Sequence, residues 1–152
     1  MYTGKTEQPC CLCDDPETVA RLDLPPRAVT LMKHGGRIAW RDIVGDVSVH
    51  FCASDWELVC DLVVDLGQNP LSRCSVARAS FDLRADFEAL TRIRKDEPDQ
   101  SALEAERLRE STRVVDRYGD DPMVETRDYV EARVVQWTLE DLGVADGVES
   151  GH

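Results

Sequence analysis

Two stretches of the chain have residue types and spacing that suit a metal ion. Cys10 and Cys13 form a C-x2-C pair, two thiols that one tight turn can aim at a single ion. A third thiol, Cys52, stands in the stretch His50-Phe51-Cys52-Ala53-Ser54-Asp55-Trp56-Glu57. Zinc takes four ligands in a tetrahedron and favours soft thiolates, and a structural site keeps no open position. The fourth ligand is open between two residues. His50 lies two positions before Cys52 on a predicted strand, so both side chains leave the same face, and an imidazole would complete the set. Asp55 falls three positions after Cys52 in the first turn of a predicted helix, and carboxylate oxygen also binds zinc. In its other role Asp55 is an acidic residue favoured there by the helix dipole. Cys11 is a third candidate, but its vicinal position turns it away from the site that Cys10 and Cys13 share. Cys60 and Cys74 read as small buried apolar residues.

The elements that position these residues follow from punctuation and periodicity. Asp14-Asp15-Pro16-Glu17 continues the cysteine knuckle into a turn, and Pro25-Pro26 opens a hairpin. Its strands are predicted over residues 28–32 and 37–40, joined by a His34-Gly35-Gly36 turn. Val47, Val49 and Phe51 alternate with polar residues and predict a third strand over 47–51. Ser54 followed by Glu57 is a capping-box pattern, which starts a helix at Asp55 that runs to Leu66 and stops at Gly67. Asn69-Pro70 reads as a cap and first position. Apolar spacing then predicts a helix over 81–95. A second capping-box pattern, Ser101 with Glu104, opens a helix to Tyr118, and Asp121-Pro122 opens a last one that ends before Gly143.

A cysteine knuckle, a hairpin and a third cysteine at the mouth of a helix resemble, in that order, the treble-clef zinc finger. The resemblance covers roughly the first 66 residues and implies a closed structural zinc. In that pattern the fourth ligand falls two or three residues after the third cysteine and is usually Cys or His. This chain has Asp55 there, which leaves the choice between His50 and Asp55 open. The expected fold is α+β: a zinc-stapled hairpin-and-helix domain at 1–68, a helical region of about three helices at 69–143, and a disordered tail at 144–152.

Acidic residues number 30 against 18 basic ones, a formal net charge of −12. Asp outnumbers Glu by 18 to 12 and Arg outnumbers Lys by 15 to 3. This balance resembles the proteins of salt-loving archaea, and together with the finger-like first 66 residues it resembles small zinc-finger proteins of halophilic archaea with no assigned function. At molar salt the Debye length is about 3 Å, so the acidity reads as an adaptation of solubility and says little about partners. No run of 18 or more apolar residues occurs, so no transmembrane helix is expected. The first residues lack an apolar signal core, and six clustered cysteines suit a reducing compartment, so the expected location is cytoplasmic.

The expected function is that of a structural-zinc protein acting as an interaction or regulatory module, with a protein partner or self-association through its C-terminal helices. The alternative is a nucleic-acid-binding regulator. Net charge is −5 over residues 1–70, zero over 71–118 and −7 over 119–152, so an anion would meet Arg73, Arg78, Arg84, Arg92 and Arg94 in the middle segment. Against that alternative, the predicted finger helix carries Asp55, Glu57, Asp61 and Asp65 and no basic residue. A catalytic zinc would need an open position and a base, with Glu57 or His34 as candidates. The chain has no H-E-x-x-H, G-x-G-x-x-G or G-x-x-x-x-G-K-[ST] loop, and it is not expected to be an enzyme.

Overall fold

The computed structural model describes residues 8–33, 43, 46–81 and 100–143. Its described elements make a mixed α+β fold. A three-stranded antiparallel sheet has the order β1 (Ala20–Leu24), β2 (Val47–Phe51), β3 (Ser80–Phe81). Helix α1 (Ala53–Cys60) continues through a π-helical turn, Asp61–Asp65; α2 (Gln100–Arg117) and α3 (Thr126–Asp141) come after it.

Period-two patterning decides which face of the sheet is buried. Leu22 and Leu24 of β1 stand opposite Val49 and Val47 of β2, and Ala20 opposite Phe51. Cross-strand partners share a face, and Leu22, Leu24, Val47, Val49 and Phe51 are all fully buried. They join one core with Val59 and Val63 after β2 and Val130, Val134 and Leu139 on α3. Val130 and Val134, four residues apart, share one stripe of α3, and Leu139 buries another face of the same helix.

β1 is an edge strand, and its outer edge is taken by side chains. Glu131 of α3 accepts the Asp23 N–H at 2.6 Å, Arg127 donates to the Arg21 carbonyl at 3.1 Å, and Arg107 of α2 donates to the Asp23 carbonyl at 3.0 Å. These are the backbone groups that β2 does not use, so the two helices satisfy an edge that would otherwise be a template for pairing. A second tie is the Arg27–Glu104 pair at 2.9 Å, with Glu104 only 6% exposed. Arg27 also donates to the Leu142 carbonyl just beyond α3. Residues 20–31 are thereby fastened to both helices.

Several predicted boundaries are corrected. Residues 28–32 are not a strand: Pro26–Leu31 forms a 3-10 turn, with the Ala28 N–H bonded to the Pro25 carbonyl at 2.9 Å. Pro26 at its first position fixes φ for a helical turn and overrides the β-branched Val29-Thr30. The strand lies earlier, at Ala20–Leu24. Helix α1 starts at Ala53, with Cys52 as its N-cap, and the Ser54–Glu57 capping box does not form. Asn69 caps as expected, its side chain accepting the Leu71 N–H, but the element it caps is the 3-10 turn Pro70–Arg73. Phe81 ends β3, and the rest of the predicted 81–95 helix lies outside the described residues, as do the predicted strand 37–40 and the tail 144–152. Ser101 is already inside α2, and Glu104 is turned to Arg27. Asp121-Pro122 is a turn; α3 begins at Thr126, where Glu125 and Asp128 form a reciprocal capping box. Gly67, Gly119 and Gly143 each have positive φ where α1 with its π turn, α2 and α3 end.

Burial at the β1 edge pushes the Glu131 carboxyl above its ordinary value, opposed by the Asp23 N–H and by Arg127 and Arg107, and reinforced by the Asp23 carboxylate. A folded chain that holds this proton more tightly than the unfolded chain loses stability as pH rises through the raised value. Glu131→Gln keeps an acceptor for Asp23 and removes the charge. Denaturant midpoints measured from acid to neutral pH are expected to fall less steeply in this variant than in the parent chain. Parallel curves would place the titration elsewhere.

Candidate metal centre

The knuckle is a short turn closed by its own backbone. The Asp14 N–H bonds to the Cys10 carbonyl and the Cys10 N–H to the Asp15 carbonyl, each at 2.8 Å. Asp14 takes the left-handed conformation, φ 71°, which a short polar residue tolerates. The Cys11 N–H donates to the His50 carbonyl at 2.8 Å, so the knuckle lies alongside the end of β2. One residue past that strand the chain turns into α1, and the Trp56 N–H closes the first helical bond onto Cys52 at 2.8 Å. Cys52 is therefore the N-cap and Asp55 the third helical residue, the two positions whose side chains face back across a helix start.

This brings four ligand atoms together. The Sγ atoms of Cys10, Cys13 and Cys52 and a carboxylate oxygen of Asp55 all lie within 4.8 Å of one another, a group that can hold a metal ion. Cys10 Sγ is 3.2 Å and Cys52 Sγ 3.4 Å from Asp55 Oδ2, and Cys13 Sγ is 3.6 Å from Cys52 Sγ. No disulfide joins them; all six cysteines are free thiols. Cys10 and Cys52 are buried, Asp55 is half-buried and Cys13 is exposed.

Backbone amides act on the thiols. The amides of Cys52, Leu12 and Cys13 lower Cys10, that of Asp15 lowers Cys13, and that of Asp55 lowers Cys52. Such donors favour the thiolate, and for Cys52 the start of α1 adds its dipole. Cys52 is held below the ordinary thiol value, first by the Ser54 hydroxyl and then by the Asp55 N–H. Burial raises Cys10 despite its three amides, and the Asp55 carboxylate pushes Cys13 up to about 12. Asp55 is held below the usual carboxylate range, chiefly by hydrogen bonds from the thiols of Cys13 and then Cys10. The four groups cannot all be anions without a cation between them. A divalent ion reverses this balance and releases the thiol protons.

The remaining predicted site residues fall elsewhere. His50, 7% exposed on β2, is outside the four-atom group, although its carbonyl receives the knuckle. Glu57 is exposed on α1, and His34 lies outside the described residues. Arg73 is exposed at the end of its 3-10 turn, and Arg78 pairs with Asp14 at 3.5 Å. Arg84, Arg92 and Arg94 lie outside the described residues. Missed altogether was Ser54 as a donor to Cys52, 3.5 Å away; its signal was the serine two residues after a cysteine at a helix mouth.

The model of a protein family of unknown function, DUF7960, matches residues 1–148. The chain belongs to this family. Comparison with curated proteins and with solved structures gives no match. Membership therefore spans the metal-competent cluster and both long helices, and it assigns no activity to either.

The cluster predicts a graded response to substitution. Cys10→Ser, Cys52→Ser or Asp55→Ala is expected to weaken metal binding beyond the roughly 10–100-fold that loss of an outer-shell partner costs. His50→Ala is expected to retain the metal at parent stoichiometry. Elemental analysis of dialysed protein checks both. Metal lost from His50→Ala but kept by Asp55→Ala would reverse the assignment.

Proposed function

We propose that this chain is a structural-zinc protein, treble-clef-like over roughly its first 66 residues, that works as a protein-interaction or regulatory module. The observation that carries the reading is the spacing of the four ligand atoms. In a tetrahedron with Zn–S near 2.3 Å and Zn–O near 2.1 Å, S···S edges are roughly 3.8 Å and S···O edges roughly 3.6 Å. Three of the six separations, 3.2, 3.4 and 3.6 Å, are a little shorter than those edges, and all six lie within 4.8 Å, close enough for one ion to draw the four atoms into a tetrahedron. Three thiolates suit zinc better than calcium or magnesium, which take oxygen.

Four protein ligands leave no position for water or substrate, which favours a staple over a catalytic ion. The staple joins the knuckle to the start of α1, with Cys13 and Cys52 39 residues apart, in a region whose described regular elements are short. Structural zinc contributes roughly 10–16 kcal/mol of apparent binding energy in small domains, enough to decide whether the knuckle holds its place.

The interaction reading rests on the surroundings of the staple. Leu58, Val64 and Leu66, on α1 and the turn after it, are 41, 40 and 63% exposed. Glu57, Asp61 and Asp65 are interspersed among them without a basic residue, a surface poor for phosphate and serviceable for protein.

Tagged chain purified from native extract is expected to carry one zinc and a protein partner or a second copy of itself. Leu58→Asp/Leu66→Asp should keep the zinc and lose the partner. A chain that recovers nucleic acid in place of protein, or whose zinc carries an exchangeable water and supports hydrolysis, would contradict the proposal.

A further inference from the structure

The three sulfurs of the cluster differ in their access to solvent. Cys10 is fully buried and Cys52 is 4% exposed, while Cys13 is exposed and opens a run, residues 13–17, that is exposed throughout. A small solute therefore meets one sulfur of the three. Across the cluster, Cys13 Sγ lies 3.6 Å from Cys52 Sγ, already in non-bonded contact although the residues are 39 apart in the chain. A disulfide is about 2.05 Å long, so the two sulfurs need to approach by about 1.6 Å. Cys52 is the fixed partner. It is the N-cap of α1, its carbonyl accepts the Trp56 N–H at 2.8 Å, and its Sγ is 3.5 Å from the Ser54 hydroxyl. The approach falls to the exposed turn that carries Cys13. Cys11 and Cys74, fully buried, and Cys60, half-buried, lie outside the four-atom group.

We infer that Cys13 is an oxidative modification site, that a peroxide-class oxidant joins it to Cys52, and that this disulfide and a bound metal are alternative states of the cluster. The exclusion of metal rests on the zinc reading of the cluster, and the choice of sulfurs on exposure and distance. A cysteine that serves as a metal ligand is a thiolate, the form that attacks peroxide. The Cys13 sulfur attacks one peroxide oxygen, the O–O bond breaks, and Cys13 becomes a sulfenic acid with release of hydroxide. The Cys52 thiolate then attacks the Cys13 sulfur and displaces a second hydroxide. Two thiolates and one hydrogen peroxide thus give one disulfide and two hydroxides; each sulfur loses one electron and the peroxide gains two. Buried Cys52 never has to meet the oxidant, only the sulfur beside it. Cys10 and Asp55 are then the remaining ligands, and two ligands do not make a closed tetrahedral site. A reductant restores both thiolates.

The test treats the zinc-loaded full chain with hydrogen peroxide, measures zinc in the ultrafiltrate by elemental analysis, and maps tryptic peptides after alkylation in denaturant. Cys10, Cys11 and Cys13 share the fragment that ends at Arg21, and Cys52 shares one with Cys60 that ends at Arg73. Cys60→Ser leaves Cys52 as the one thiol of its fragment and is expected to behave as the parent chain does. One zinc should be released for each disulfide formed. Fragmentation should locate the bond between Cys13 and Cys52, with Cys10 and Cys11 alkylated, and reduction followed by added zinc should return the starting stoichiometry. A bond between Cys10 and Cys13, or from Cys52 to Cys10 or Cys11, would overturn the inference. So would zinc released with Cys13 and Cys52 both recovered alkylated, or the Cys13–Cys52 bond in a chain that keeps its zinc. A chain that holds no zinc before treatment contradicts the zinc reading, and the exclusion with it, while its peptide map still decides whether Cys52 is the partner of Cys13.

Discussion

Three thiols and a carboxylate packed within 4.8 Å of one another are the constraint on which the first half of this protein depends. Without a cation, Asp55 keeps its charge by drawing hydrogen bonds from the thiols of Cys13 and Cys10, and Cys13 is pushed up to about 12. The backbone nonetheless favours thiolates, with amides of Leu12, Cys13, Asp15, Cys52 and Asp55 lowering the cysteines of the cluster. An arrangement that stabilises anions and then crowds them is one that a divalent ion completes. Helix α1 shows the consequence. Its N-cap and third residue are Cys52 and Asp55, so the side chains that would ordinarily cap the helix are committed to the cluster.

The second half is held by a different device. The free edge of β1 is met by Glu131, Arg127 and Arg107, and Arg27 bonds to both Glu104 and the Leu142 carbonyl. These charges serve backbone groups or one another within the protein, which gives part of an acid-rich composition a structural task. The sheet thus connects the two: β2 receives the knuckle at His50 on one side, and β1 receives the helices on the other.

The features legible in the sequence were those that depend on neighbours a few residues away. The C-x2-C pair, the alternation of Val47, Val49 and Phe51, and the cap of Asn69 on its turn all reappear in the fold. β1 carried an equally plain signal, Ala20-Arg21-Leu22-Asp23-Leu24, hidden by its position before the two prolines that drew the strand assignment downstream. Val29-Thr30 favours strand, yet Pro26 at the start of the segment imposes a helical φ. Ser54 with Glu57 matched a capping box two residues late, because a cysteine is a poor cap unless something else holds it. The pairing of Arg27 with Glu104 spans 77 residues and left no local trace. The choice between His50 and Asp55 was not legible for the same reason. Both are within three residues of Cys52, and only the placement of the knuckle separates them.

The most direct measurement is X-ray absorption at the metal edge on the zinc-loaded chain in solution. The expected result is three sulfur scatterers near 2.3 Å and one oxygen near 2.0–2.2 Å, without the multiple-scattering signature of an imidazole. Three sulfurs with an imidazole nitrogen in place of the carboxylate would contradict Asp55 as the fourth ligand, and a shell of two sulfurs with exchangeable water would contradict the ligand set of Cys10, Cys13, Cys52 and Asp55 and with it the staple.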